Sequence, residues 1–134
     1  MAFIRCGGGK ATLKATTLWS NPNPSSSFSA QTVTLSQSMA NFDYIRITFQ
    51  YSTSNTEQWN VIYTVAGLDG NTVSMGARKY DSSSINDMRY RAVNGASNTT
   101  VAFTNSVQHT SSSQSTSAAY IIPYSIEGLK LSIV

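Results

Sequence analysis

Helical periodicity is almost absent from this sequence, and period-two alternation takes its place. In ANFDYIRITFQYS (40–52), Ile45, Ile47, Phe49 and Tyr51 fall on one side, while Tyr44, Arg46, Thr48 and Gln50 fall on the other. QWNVIYTVAG repeats the pattern with Trp59, Val61, Tyr63 and Val65, and QTVTLS offers Val33 and Leu35. TTVAFTN adds Val101 and Phe103, and SIEGLKLSIV puts Leu129, Leu131 and Ile133 on a common side. Successive side chains of an extended chain point to opposite faces, so each stretch reads as a strand with one buried face. Each is also rich in β-branched and aromatic residues. A chain with about eight or nine such runs at near-regular spacing predicts an all-β fold, an antiparallel β-sandwich of jelly-roll type.

The breaks between runs carry turn chemistry. Asp69-Gly70 in GLDGN predicts a tight hairpin between Trp59–Ala66 and Thr72–Lys79, and Asn94-Gly95 predicts a second between Met88–Val93 and Thr99–Thr104. STSNTEQ, YDSSSIND and HTSSSQSTS (109–117) read as polar loops, the last of them long and mobile. Between Trp19 and Phe28, SNPNPSSS is polar and stiff. Pro22 and Pro24 bias Asn21 and Asn23 to extended backbone and withhold amide donors from stray edges. The segment is expected to connect the two sheets, with Phe28 returning to the core.

The first residues differ from the rest. Three glycines in CGGGK cannot pack a core, so residues 1–14 are expected to form an extended N-terminal arm, followed by one sandwich domain over 15–134. Phe3, Ile4 and Arg5 are its candidate assembly contacts. MAFIRCGGGK has no apolar run long enough for a signal peptide, and no segment approaches a membrane helix; neither secretion by a leader nor membrane insertion is expected. Cys6 is the lone cysteine, which excludes an intrachain disulfide.

Composition narrows the function classes. Only 11% of residues are charged, and serine, threonine and asparagine supply the polarity instead, as in extracellular and virion β-proteins. The net charge of +3 comes from nine basic residues spread along the chain. Only Arg78-Lys79 and Arg89/Arg91 come close to clustering, and both read best as solvated strand faces, so nucleic acid is not an expected partner.

Catalytic signals are weak. His109 is the single histidine and sits beside a serine-rich loop, where a serine and a carboxylate nearby mean little. Six carboxylates exist: Asp69 suits its turn, and Asp43 suits a local backbone cap. Asp81 and Asp87, which bracket YDSSSIND, are the only pair with a hydrolytic or calcium-binding alternative, and their spacing matches no calcium loop. GGGK lacks the spacing and hydroxyl of a phosphate loop. No enzyme activity, metal or cofactor is expected. What remains is a binding surface around that loop: Arg78, Tyr80, Asp81, Asn86, Asp87, Arg89 and Tyr90, of the types enriched at interface hot spots and sugar sites. Trp19 and Trp59 read as packing residues.

TTLWSNPNPSSSFSAQTVTLSQSMANFDYIRITFQYSTSN (16–55) resembles a module of phage and prophage tail-associated proteins. The residues that carry the resemblance are Leu18-Trp19, Asn21, Pro24, Phe28, Gln31-Thr32-Val33 and Phe42-Asp43-Tyr44-Ile45. AAYIIPYSIEGLKL (118–131) is similar to the last strands of the same module. The resemblance implies a virion component, in tail fibre, baseplate or head decoration, assembled as a homo-oligomer with a trimer favoured. It also implies a structural or receptor-binding role, with a host cell-surface glycan as the possible receptor and other virion proteins held through the arm. It transfers no catalytic residue.

Overall fold

The computed structural model describes residues 5–6, 9–80, 86–110 and 113–133, with the backbone alone at 5, 6, 79, 80, 86 and 87. The chain runs through β1 (Arg5–Cys6), β2 (Gly9–Ser20), β3 (Gln31–Thr34), a 3-10 turn at Met39–Asn41, β4 (Tyr44–Ser52) and β5 (Gln58–Thr64). After a four-residue helix α1 (Val65–Leu68) come β6 (Thr72–Tyr80), β7 (Asn86–Ser97), β8 (Thr100–His109), β9 (Gln114–Ser117) and β10 (Tyr120–Ile133). One sheet has the order β1-β2-β10-β4-β5 and the other β3-β8-β7-β6, with β9 added to β8. Every strand pair is antiparallel. The two sheets pack face to face, giving the all-β sandwich that the alternation predicts. The order combines long-range pairs, β2–β10 and β3–β8, with consecutive hairpins β4–β5 and β6–β7–β8; it does not by itself single out a jelly roll.

The core lies where the alternation places it, except that Leu131 and Ile133, expected on the buried side with Leu129, are 41% and 59% exposed because β10 runs beyond β4 there. Ile45, Ile47 and Phe49 of β4 meet Met75, Val93, Val101 and Phe103 of the facing sheet, all nearly free of solvent. Burying an aliphatic or aromatic side chain of this size contributes about 1.5–3 kcal/mol each, which makes these inner faces the main driving force. Phe28 returns to the core and packs edge-on against Phe103 at 5.6 Å and Trp19 at 6.0 Å. Trp19 and Trp59 are half-buried against the same cluster. The polar connector is fastened at both ends, since the Asn21 amide and side chain bond to the Tyr124 and Pro123 carbonyls and the Phe28 amide to Ala118.

Several expectations are corrected. Gln50 is buried, because the connector crosses it: its side-chain amide donates to the Pro24 carbonyl at 2.5 Å and to Ser52 at 3.3 Å. Asn94-Gly95 is not a turn but lies inside β7, and the chain reverses at Asn98–Thr99. Gly95 is needed there for close approach, since a Cβ would sit 2.3 Å from the Leu68 carbonyl oxygen. Asp69-Gly70 is not a hairpin either. It links β5 in one sheet to β6 in the other, after α1 has turned the chain, with the Thr64 hydroxyl accepting the Gly67 amide. Within 109–117, β8 continues to His109 and β9 pairs with it, so this stretch is a hairpin rather than a long loop. Asp43 caps a distant segment, not a local one: it accepts the Leu131 amide at 2.7 Å. Strand β2 starts at Gly9, so within the expected arm Gly9 and Lys10 pair with β1, and residues 11–14 pair with Lys130–Ile133 of β10.

Candidate binding face on strands β6, β7 and β8

The described residues read from the sequence as one binding cluster lie on two paired strands, Arg78 and Tyr80 on β6 and Asn86, Asp87, Arg89 and Tyr90 on β7, and a strand cannot present sequence neighbours to one face. Register sets Ala77 opposite Arg89 and Met75 opposite Arg91, and sets Gly76 opposite Tyr90 and Arg78 opposite Met88. Met75 and Ala77 are buried in the core, so Arg89 and Arg91 point inward, while Met88 and Tyr90 point outward. Both inward arginines correct the expectation of a solvated face.

Arg91 is fully buried. Its Nε donates to the Ile121 carbonyl at 2.9 Å, Nη1 to Phe28 at 2.9 Å and Thr104 at 2.5 Å, and Nη2 to Tyr120 at 2.8 Å. The guanidinium also lies 5.4 Å from the Phe28 ring. Its planar fork of donors lets one side chain satisfy carbonyls from three separate segments, which a lysine cannot match. Burial lowers its pKa to about 10, which still leaves it protonated at neutral pH. The clamp also holds a strained site, for Ile121 adopts φ 47°, a left-handed conformation costly to a β-branched residue.

Arg89 bridges the two sheets. Its guanidinium carbon stands 3.7 Å from the Tyr120 ring centroid and 4.6 Å from that of Tyr51, both on the opposite sheet. Cation–π stacking of this kind is stronger where water is excluded. Arg89, half-buried, therefore packs on aromatic rings of the opposite sheet.

On the outer face, the Tyr90 and His109 rings lie nearly parallel, with centroids 5.9 Å apart and 16° between planes. Arg78 is exposed beside them, and Met88, opposite both Arg78 and His109 in register, is 48% exposed. Arg78, Met88, Tyr90 and His109 thus form an apolar, aromatic and cationic patch on the outer face of this sheet. Sequence reasoning missed His109 and Met88 as members, because the β7–β8 register that joins them depends on where the turn falls. Of the other expected residues, Tyr80 ends β6 and pairs with Asn86 in register, as Lys79 does with Asp87, while Asp81 lies outside the described residues. Phe3 and Ile4 lie outside them as well, and Arg5 pairs with Lys10 in β1.

Three of the described carboxylates have a structural place. Glu127 faces Arg46 across β10 and β4 with a 3.0 Å ion pair, Asp43 lies 3.7 Å from Lys130, and Asp69 follows α1. Among the described residues, no group of three His, Cys, Asp or Glu side chains converges as a metal site would require. Among the described residues, no helix is long and apolar enough to cross a membrane. A comparison with known protein families finds no match, and a comparison with curated proteins finds none either.

Proposed function

We propose that the chain is a bacteriophage virion structural protein that displays its sandwich on the particle surface for attachment to a host-surface glycan, as a tail-fibre or receptor-binding component. One observation carries this reading: the two segments that resemble the tail-associated module, 16–55 and 118–131, are distant in sequence yet fold into one unit. Strands β2 and β4 flank β10, and the NPNP connector is fastened by Tyr124, Pro123 and Ala118 of the second segment. The hydroxyl-rich surface and the Tyr90–His109 patch suit a sugar, which stacks its apolar face on aromatic rings and hydrogen-bonds at its rim. Avidity supplies the mechanism: several identical weak sites on one particle multiply a modest affinity, and a homotrimer provides them.

Immunogold labelling or cryo-electron microscopy of purified particles tests the proposal. The protein is expected on the virion exterior, and its absence from particles overturns the reading. Binding of the multimerised protein to host cell walls, lost on Tyr90→Ala with His109→Ala, is the expected receptor result. Wall binding that is absent although the protein is on the particle favours the second reading, a head-fibre or decoration protein that coats the capsid. The low charge content and strongly hydrogen-bonded surface hydroxyls favour that alternative equally.

A further inference from the structure

Asp69-Gly70 and Asn94-Gly95 lie far apart in the chain, and the fold sets one on the other. Asp69 forms a parallel bridge with Gly95. The Gly70 amide donates to the Gly95 carbonyl at 2.7 Å, and the Gly95 amide donates to the Asn71 carbonyl at 3.1 Å. The loop is also pinned from within. The Asn71 amide donates to the Leu68 carbonyl at 3.0 Å, and its side chain donates to the Ala66 carbonyl at 3.3 Å and to that of Asp69 at 3.4 Å. On the β6 side, the Asn94 side-chain amide donates to the Thr72 hydroxyl at 3.0 Å. Gly95 itself is buried, with the Leu68 carbonyl oxygen 2.3 Å from where a Cβ would stand.

Both dipeptides are chemically labile, because glycine has no Cβ to hinder attack by its own backbone nitrogen on the preceding side chain. The Gly95 nitrogen attacks Cγ of Asn94. An N–Cγ bond forms, the Cγ–Nδ2 bond breaks, and the Gly95 amide proton leaves with Nδ2 as ammonia. Water then opens the succinimide at either carbonyl, giving aspartate or isoaspartate. At Asp69 the Gly70 nitrogen attacks the protonated carboxyl group. One carboxyl oxygen leaves with the acid proton and the amide proton as water, and hydrolysis returns aspartate or isoaspartate. Water is the sole co-reactant in both cases.

The fold opposes each step. Each attacking nitrogen has to give up the hydrogen bond that it donates, which leaves an acceptor unpaired. Ring closure folds that nitrogen back over the side chain, whereas Asn94 is extended within β7 and Asp69 stands at ψ 118°. The Asn94 amide is held against Thr72, away from the Gly95 nitrogen.

We infer that Asp69-Gly70 and Asn94-Gly95 form one coupled modification site that the fold protects. Both are inert while the loop from Leu68 to Asn71 rests on β7, and lifting of that loop releases both nitrogens together. Isoaspartate at position 94 adds a methylene to the main chain of β7, so a converted chain cannot restore the Thr72–Asn94 register. Conversion is therefore a permanent mark of a molecule that has opened.

The full chain is incubated at mildly alkaline pH, folded in buffer and unfolded in urea. Positions 69 and 94 are followed by peptide mapping, with mass spectrometry for deamidation and chromatographic separation of the isoaspartyl forms. Both are expected to convert at least about a hundredfold more slowly in the folded protein, and sub-denaturing urea is expected to raise both rates in parallel. Asn71→Ala removes two of the bonds that pin the loop without touching Asn94-Gly95. It is expected to speed conversion at both positions about tenfold in the folded protein, with the unfolded rate at Asn94 unchanged. Conversion of Asn94 in the folded protein at its unfolded rate overturns the protection. Sub-denaturing urea that speeds one position and not the other overturns the coupling, and so does an Asn71→Ala protein, folded by circular dichroism, that converts no faster than its parent.

Discussion

Two places in this molecule hold positive charge with little help from carboxylates, and they resolve the problem in opposite ways. Arg91 is sealed in the core, where an unpaired charge is prohibitive, and backbone carbonyls from Phe28, Thr104, Tyr120 and Ile121 surround it. The lysines of the β2–β10 ribbon stay in water, which screens them, and face one another across the sheet. A buried cation has to be satisfied by its own chain and so becomes architecture. An exposed cluster needs no such enclosure, since water solvates it and Lys130 has Asp43 at 3.7 Å beside it.

The largest expected effect comes from breaking the first arrangement. Arg91→Met leaves several buried carbonyls without donors and releases the strained Ile121, at a cost of about 4 kcal/mol by urea unfolding. Arg91→Lys is expected to recover little of that loss, since an ammonium cannot reach carbonyls so arranged. A cost below about 1 kcal/mol for either variant would remove the clamp from this account. Phe28→Ala comes next, at about 3 kcal/mol, from the cavity it opens beside Trp19 and Phe103. Because Arg91 bonds the Phe28 carbonyl and lies over its ring, the double variant is expected to be non-additive by about 1 kcal/mol in a mutant cycle.

The ribbon responds with the opposite sign. Lys14→Glu turns a like-charge pair with Lys130 into an opposite one, and is expected to stabilise the isolated protein by about 0.5 kcal/mol at low salt. The gain fades as salt rises; a destabilisation would mean that the lysines are not in conflict. The smallest effect concerns alkaline pH. Tyr63 donates to the Ser74 carbonyl at 2.6 Å, and burial raises its pKa from 10.0 to about 12. The folded state therefore keeps a proton that the unfolded chain has lost, and this contribution, complete below pH 10, declines as pH rises towards 12. Arg91 has the reverse sign: its lowered value means that the unfolded chain holds the proton longer, so its penalty eases as pH rises above about 10. Tyr63→Phe is expected to remove the decline and expose the Arg91 trend in denaturation measured from pH 9 to 11.5.

Much of the fold was legible in the residue order because alternation is a local property. Ile45, Ile47, Phe49, Val101 and Phe103 have inward faces whatever their partners turn out to be, and Pro22 and Pro24 stiffen the connector on their own. The same rule separates Arg89 from Tyr90, which residue type alone had grouped into one cluster. What the residue order did not carry was which face is covered and by what. Gln50 and Arg91 alternate with apolar residues in just the way that solvent-facing residues do. Only the connector laid over Gln50, and the carbonyls converging on Arg91 from three segments, turn them into interior groups. Asn94-Gly95 has the chemistry of a turn, and the close approach of Leu68, fixed from 27 residues away, makes it part of a strand.

The sequence by itself determined that this protein is an all-β chain with alternating strands, a rigid polar connector and a hydroxyl-rich surface, because these follow from side-chain direction, backbone restriction and composition. Tertiary structure alone decided that a core arginine would bind carbonyls, that Tyr90 would stand beside His109, and that Lys14 would face Lys130. These depend on register between strands far apart in sequence, 116 positions for Lys14 and Lys130, and register is set by the packing of the whole sandwich.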